Sequence, residues 1–321
     1  MTTNSQLEEA AAILRRGGLV AFPTETVYGL GANALDEDAV RRIYTAKGRP
    51  STSPLIVHIA SAAMGKRVAR EWPETAAILT NRFWPGPLTL VLPKQKRVPA
   101  IVTAGLDTVG VRMPSHPLAL ALIKKARLPL AAPSANKFTQ LSPVTAGQVR
   151  QSLGDAVDLV LDGGPCRVGI ESTVLSLAGD VPVLLRPGMV SRQQIEALIG
   201  PVALAKAAAE GEAHAAPGMH EKHYAPHTPL RLGDPAPDSA YIWWSEPKPA
   251  HIDVRMPNDP DRYAAMIYDT LHRLDQMGLR EIAVEPVPPT GDWDGIRDRL
   301  ARAAQPVSPF ADAGHPQSRG L

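Results

Sequence analysis

Along this chain, cations and small hydroxyl residues gather where short apolar runs end. Lys47 and Arg49 follow a helical pattern, Arg112 stands inside the apolar run 109–113, and Arg186 closes the run 183–186. Thr26, Thr108, Ser134, Ser142 and Ser172 lie in or beside the polar stretches flanking such runs. Fixed positive charge with many neutral donors suits a polyphosphate together with a small carboxylate. It therefore suits phosphoryl or nucleotidyl transfer, where positioning and charge neutralisation carry most of the catalysis. What is missing narrows the chemistry further: the sequence has no Walker P-loop, no H-E-x-x-H, no cysteine–histidine pair and no nucleophile elbow. The one cysteine, Cys166, excludes an internal disulfide framework and a multi-thiolate zinc site, and it fits a reducing, cytoplasmic setting. With no general base beside it in sequence, it reads as a packing residue.

The elements that must hold these groups are densest over residues 22–59. Residues 19–22 form a short apolar run of the kind a buried strand shows, and a loop with Thr24, Glu25, Thr26 and Tyr28 follows, relaxed by Gly29 and Gly31. Asp36 caps a helix with Val40, Ile43 and Tyr44 at helical spacing; Gly48 stops it and Pro50 prevents its resumption. Lys47 and Arg49 thus sit at a helix C-terminus, beside a strand 55–59 that carries His58 near its end. Residues 29–34 match G-x-G-x-x-A, but six residues separate Phe22 from the first glycine and the next strand lacks a ribose-binding acid. A dinucleotide fingerprint is excluded on that context.

Further along, a helix over about 75–82 leads into the turn Trp84-Pro85-Gly86-Pro87, where Trp84 reads as core packing, and a strand 88–92. Arg112 inside its strand needs a carboxylate or phosphate, supplied either by an internal salt bridge or by a ligand. His58 reads equally as a general base or as a hydrogen-bonded strand-end histidine. Ser142 before Pro143 reads as a helix N-cap, and a helix N-terminus also accepts anions, so both uses stand together. Strands at 128–132, 157–161 and 183–186 and a capping box of Ser191 with Gln194 complete a first domain.

Residues 201–216 are alanine-rich, a marginal helix or a tether, and 216–226 set His220, Lys222, His223 and Tyr224 between prolines. This second stretch is either a solvated linker or a lid. From residue 229 strands at 229–233, 240–244 and 280–285 alternate with helices at 260–277 and 293–304, a small parallel α/β domain with no catalytic constellation. Trp243 and Trp244 read as core or interdomain contacts. The tail 307–321 reads as frayed.

Size and composition set the frame. At 321 residues, 44% hydrophobic and 21% charged, the chain is long enough for two packed domains. A net charge of +2 gives no support for an overall electrostatic grip on nucleic acid. No apolar stretch approaches membrane-spanning length, and the first residues lack the pattern of a signal peptide.

Seven segments in order, FPTETVYGLGANA, KGRP, PLIVHI, WPGPLTLVL, TAGLDTVGVRMP, APSAN and GIESTV, resemble the signature of the YrdC-like family. From about residue 5 to about residue 305 the chain is similar to the family's longer, two-domain branch, the L-threonylcarbamoyl-AMP synthases. The resemblance implies an α/β fold: a twisted mixed sheet with helices and a concave active-site cavity over 1–200, and a Rossmann-like parallel α/β domain over 229–306. Residues 201–228 would be a linker that folds back as a lid. It implies that L-threonine, bicarbonate and ATP give threonylcarbamoyl-AMP and pyrophosphate. The threonine site would be Thr26, His58, Arg112, the backbone of Ala132, and Ser172. The ATP site would be Lys47, Arg49, Ser53, Thr108, Ser134, Ser142, Arg186 and Tyr224, with Lys47 and Arg49 catalytic. Mg2+ would arrive with ATP, since no carboxylate cluster is evident. The product would pass to a separate tRNA threonylcarbamoyl transferase acting next to the anticodon, so this chain need not bind tRNA.

The sequence departs from the family pattern at Ser53, where asparagine is frequent, and at His220-Glu221, where a basic residue and then an aromatic one are usual. Three rivals remain: a double-stranded RNA-binding module of the same fold, a carbamoyl-transfer maturation factor (opposed by the single cysteine), and an AMP-binding domain without turnover.

Overall fold

The computed structural model describes residues 3–205 and 224–304. The chain opens with α1 (Asn4–Arg15), started by a reciprocal Thr3–Gln6 capping box, followed by the antiparallel pair β1 (Val20–Phe22) and β2 (Gly29–Asn33). In α2 (Glu37–Lys47) the Asp36 carboxylate accepts from the Asp38 and Ala39 N–H groups, and Gly48 ends the helix at φ 62°. After it come β3 (Ile56–His58), α3 (Ala62–Gly65), α4 (Glu74–Phe83), β4 (Leu88–Pro93), β5 (Thr108–Arg112), α5 (Pro117–Ala126) and β6 (Leu130–Ala131). The first body closes with α6 (Ala146–Leu153), β7 (Leu159–Val160), β8 (Thr173–Ser176), β9 (Val183–Arg186), α7 (Arg192–Ile199) and β10 (Ala203–Leu204). Its strands form one mixed sheet in the order β10-β9-β8-β4-β5-β3-β6-β2-β1-β7. Parallel β3–β5 pairing sets His58 directly opposite Arg112.

The second body holds β11 (Leu230–Leu232), β12 (Ala240–Trp243), β13 (Ile252–Arg255), α8 (Pro260–Asp275), β14 (Ile282–Val284) and α9 (Asp294–Ala303). Its sheet, β11-β14-β12-β13, is parallel throughout, as the alternating pattern implies. Helices α8 and α9 pack on the first body. Gly169 has φ +82°, and a Cβ there would stand 2.1 Å from the Ala264 carbonyl oxygen, so α8 lies directly on that loop. Ile170 and Val190 share one contiguous apolar cluster with Tyr263, Ile267 and Ile296.

Several elements differ from the sequence reading. Gly29 and Gly31 belong to strand β2 rather than to a relaxed loop: a Cβ on Gly31 would meet the Phe22 ring at 2.6 Å, so glycine allows close strand approach. Ser142 is not an N-cap. The capping box of α6 is Thr145 with Gln148, three residues on, which releases the Ser142 hydroxyl for another partner. Ala203 and Leu204, expected within the linker, pair with β9 and extend the large sheet. Strand β13 has no counterpart in the expected pattern, because its half-exposed Ile-Asp-Val-Arg alternation lies at a sheet edge. Trp243 and Trp244 pack within the second body: Trp244 stacks near Trp293, and the Trp243 indole donates to Asp253. His220 and Glu221, most of the expected lid and the tail lie outside the described residues. Among the described residues no helix is long and apolar enough to cross a membrane.

Candidate active site

A cavity of about 530 Å³, partly open to solvent, lies at the strand ends of the large sheet. It brings together Thr26, Arg49, His58, Arg112, Ala132, Ser134, Ser172, Arg186 and Tyr224 of the expected site, with Thr24 and Glu171 beside them. The cavity has two ends.

At one end His58 and Arg112 sit across the β3–β5 pairing, both almost fully buried. The Arg112 guanidinium makes an ion pair with Glu25 at 2.7 Å, and its Nε donates to the Gly86 carbonyl. The second Glu25 oxygen accepts from the Ser115 N–H. Both proposed partners of a strand arginine are thus compatible: an internal carboxylate holds Arg112 from behind while its face reaches the cavity. Burial, with the Arg112 charge adding to it, pushes the His58 imidazole down to about 3, so the ring is neutral. Its Nδ1 has no hydrogen-bond partner among the described residues. The Thr26 hydroxyl shares a 2.8 Å hydrogen bond with Thr24, and the Ala132 N–H donates to the Ile56 carbonyl, fixing the loop edge.

At the other end Arg186 donates from Nε and Nη2 to the Ser172 carbonyl, and the Ser172 hydroxyl bonds Thr89 at 2.8 Å. Arg49 donates to the Ser53 hydroxyl and to the Pro54 carbonyl and packs over Phe138. Burial lowers the Arg49 guanidinium to about 10, which leaves it charged at neutral pH. Tyr224, buried and held at φ 61°, closes this end.

Four expected site residues lie outside the lining. Lys47 is buried, its ammonium donating to the Ser134 carbonyl at 2.6 Å and to the Asn136 carbonyl, so it stiffens the 134–136 turn from below. Burial first, and the Arg49 charge second, hold its pKa well below the usual lysine range. Ser53 is a buried acceptor for Arg49, and Ser142 donates to Glu171 at 2.5 Å. Thr108 lines a separate, mostly apolar hollow with Leu55, Val109 and Val174. Cys166 is buried, which pushes its thiol up and out of nucleophilic range.

The carboxylates escaped sequence reasoning. Glu25 and Glu171 stand inside the quoted segments FPTETVYGLGANA and GIESTV, whose hydroxyls drew attention away from them. Their arginine partners are remote in sequence. Neither carboxylate is available to a metal, since Glu25 is held by Arg112 and Glu171 by Arg299, Ser142 and Tyr268. Among the described residues no group of three acidic, histidine or cysteine side chains is arranged for one.

The Sua5/YciO/YrdC family model, described as telomere recombination, matches residues 12–188. A second, described as the C-terminal domain of threonylcarbamoyl-AMP synthase, matches residues 190–305. A threonylcarbamoyl-AMP synthase of Bacillus subtilis is 44% identical over 325 residues, covering 94% of each chain. The chain belongs to the threonylcarbamoyl-AMP synthase family. The crystal structure of Pyrococcus abyssi Sua5 complexed with L-threonine superposes with a TM-score of 0.89 at 40% identity over 95% of both chains. A variant of that protein, with an adjacent histidine and tyrosine each replaced by alanine, superposes at 0.87 and 40% identity over 94% of this chain and 93% of that one. Family membership over the whole length disfavours the RNA-module and maturation-factor readings.

Proposed function

We propose that the cavity joins L-threonine, bicarbonate and ATP into threonylcarbamoyl-AMP and pyrophosphate. The observation that carries this reading is the placement of one buried cation, Arg112, at one end of the cavity and two, Arg49 and Arg186, at the other. A small amino-acid carboxylate suits the first and a polyphosphate the second. Arg112 takes the threonine carboxylate on the fork edge that Glu25 leaves to the cavity. Thr26, Ser172 and the Ala132 backbone surround the amino acid, and neutral His58 accepts a hydrogen bond near the amine.

The amine and bicarbonate form a carbamate with loss of water. A carbamate oxygen then attacks the α-phosphate, the bond to the bridging oxygen breaks, and pyrophosphate leaves with the electron pair. Arg49 and Arg186 neutralise the charge gathering on it. Lys47 acts from beneath by fixing the turn that carries Ser134. Because both nearby carboxylates are engaged by arginines, Mg2+ would be held by the ATP phosphates and water rather than by this chain, and would supply further neutralisation of phosphate charge. Tyr224 covers the nucleotide; this sequence has one His-Tyr pair, His223-Tyr224, like the pair replaced in the Pyrococcus variant. We divide the chain into a catalytic domain at 1–200, a linker and lid at 201–228 and a supporting domain at 229–306. A cytoplasmic setting and delivery of the product to a separate tRNA-modifying transferase complete the reading.

Pyrophosphate release tests it. Release should require ATP, L-threonine and bicarbonate together. Release without threonine would mean another acceptor or plain ATP hydrolysis, and ATP binding without release would leave a nucleotide-binding module.

A further inference from the structure

Glu171 lines the cavity beside Ser172 and Arg186, yet the residues that hold it come largely from the second body. One carboxylate oxygen accepts from Arg299 Nε at 2.7 Å and from the Tyr268 hydroxyl at 3.1 Å, and the other accepts from Ser142. Arg299 lies in α9 and Tyr268 in α8. Arg299 is 2% exposed, and its remaining donors reach the carbonyls of Glu171 and Pro187, the loop backbone on either side of Ser172 and Arg186. Its guanidinium also lies 5.1 Å from the centre of the Tyr224 ring, on which Tyr268 packs at 6.1 Å. His272 of α8 meets the Ser142 carbonyl from the same side. A buried arginine is costly unless its donors are satisfied; apart from an ion pair with Asp298 at 2.8 Å and a contact with the Gly295 carbonyl inside its own helix, the contacts of Arg299 end on groups that form or back the cavity wall.

We propose that Arg299 is a positioning residue for the nucleotide half of the active site, through which the second body completes that site. Resting on the synthase reading, the assignment separates two duties. Arg299 keeps the Glu171 carboxylate paired so that it does not repel incoming phosphates, and it supports the Tyr224 ring from behind. It touches no reacting atom. Of the groups assigned to the amino acid, Glu25, Arg112 and His58 draw none of their described contacts from α8 or α9, whereas Ser172 adjoins the Glu171 backbone that Arg299 holds, so the amino-acid end feels Arg299 only at that edge.

The test uses the full chain with Arg299→Met and Arg299→Lys, checking the fold by thermal unfolding. ATP affinity is measured by calorimetry, and both KM values by pyrophosphate release. For Arg299→Met the expected result is ATP binding weakened more than about tenfold and a matching rise in ATP KM. The L-threonine KM stays within about twofold, and Arg299→Lys recovers part of the loss. Should Arg299→Met fail to fold, Arg299→Lys decides by the same ATP-selective loss in smaller measure, and the charge-neutral pair Glu171→Gln with Arg299→Met should lose less ATP affinity than an unpaired Glu171 would cost, retaining only the part due to the Tyr224 support. Unchanged ATP affinity, or equal losses for both substrates in a folded variant, would overturn the proposal. Because ATP binding is read without turnover, a wild-type chain that binds ATP but releases no pyrophosphate would sink the synthase reading and leave this one to be judged separately.

Discussion

Two buried arginine–glutamate pairs bracket the cavity, and they face it in opposite senses. In the Glu25–Arg112 pair the arginine lines the cavity and the glutamate stands behind it; in the Glu171–Arg299 pair the glutamate lines it and the arginine stands behind. The first pair lies wholly within the large sheet and its loops. The second spans the two bodies, across 128 positions of sequence. A buried pair is weak evidence for stability, since desolvation of both charges opposes their attraction. What such a pair does secure is direction: each presents one fixed polar face to the cavity and keeps its counter-charge out of the ligand's way. One end therefore offers the cavity-facing side of a paired cation to a carboxylate. At the other a neutralised carboxylate lies among Arg49 and Arg186.

The contrast can be broken end by end. The largest effect is expected from Arg112→Ala, which removes the cavity cation and strands Glu25. L-threonine-dependent turnover should fall by more than about 100-fold, and urea unfolding should show a loss of about 3–5 kcal/mol. Retained threonine KM in that variant would place the amino acid elsewhere. Glu25→Gln keeps the shape but loosens Arg112, so we expect the L-threonine KM to rise about tenfold while ATP binding is unchanged, read by titrating each substrate in turn.

A pH series sharpens the second pair. Burial alone would raise the Glu171 pKa, but Arg299, Arg186 and the Ser142 hydrogen bond more than offset it and hold the carboxyl below its usual 4.5. A depressed carboxylate contributes stability that is present above the unfolded value and is lost as pH falls through the folded one. The stability gap between wild type and Glu171→Gln should thus persist from pH 7 to pH 5 and close only below about 4.5; a gap closing near pH 6 would contradict the pairing. The smallest effect concerns His58. With its pKa at about 3, L-threonine affinity should show no limb attributable to this ring between pH 5 and 8, and the wild-type and His58→Gln affinity profiles should run parallel there.

Much of the arrangement was legible because its signals are local. Asp36 and Gly48 bound α2, and Ser191 with Gln194 starts α7, since caps act within one helical turn. The alternation after residue 229 announced a parallel sheet, and the seven ordered segments pointed to most of the cavity lining. Ser142 shows where local logic fails: the Ser-Pro pair has the chemistry of a helix start, yet Thr145 takes that position and the serine is drawn inward by Glu171. Lys47 was legible as a cation at a helix end, but charge type alone did not tell that its ammonium meets the Ser134 carbonyl.

By itself the sequence determined which residue types stand at the strand ends, the helix boundaries set by caps and glycine, the alternating order of the second body, and the family. The tertiary structure alone decided which charges meet. Glu25 finds Arg112, and Glu171 finds Arg299, across folds of the chain where no periodicity or spacing operates. Burial turns those meetings into fixed orientations, because a desolvated charge is stable only where its partner has been brought within hydrogen-bonding reach.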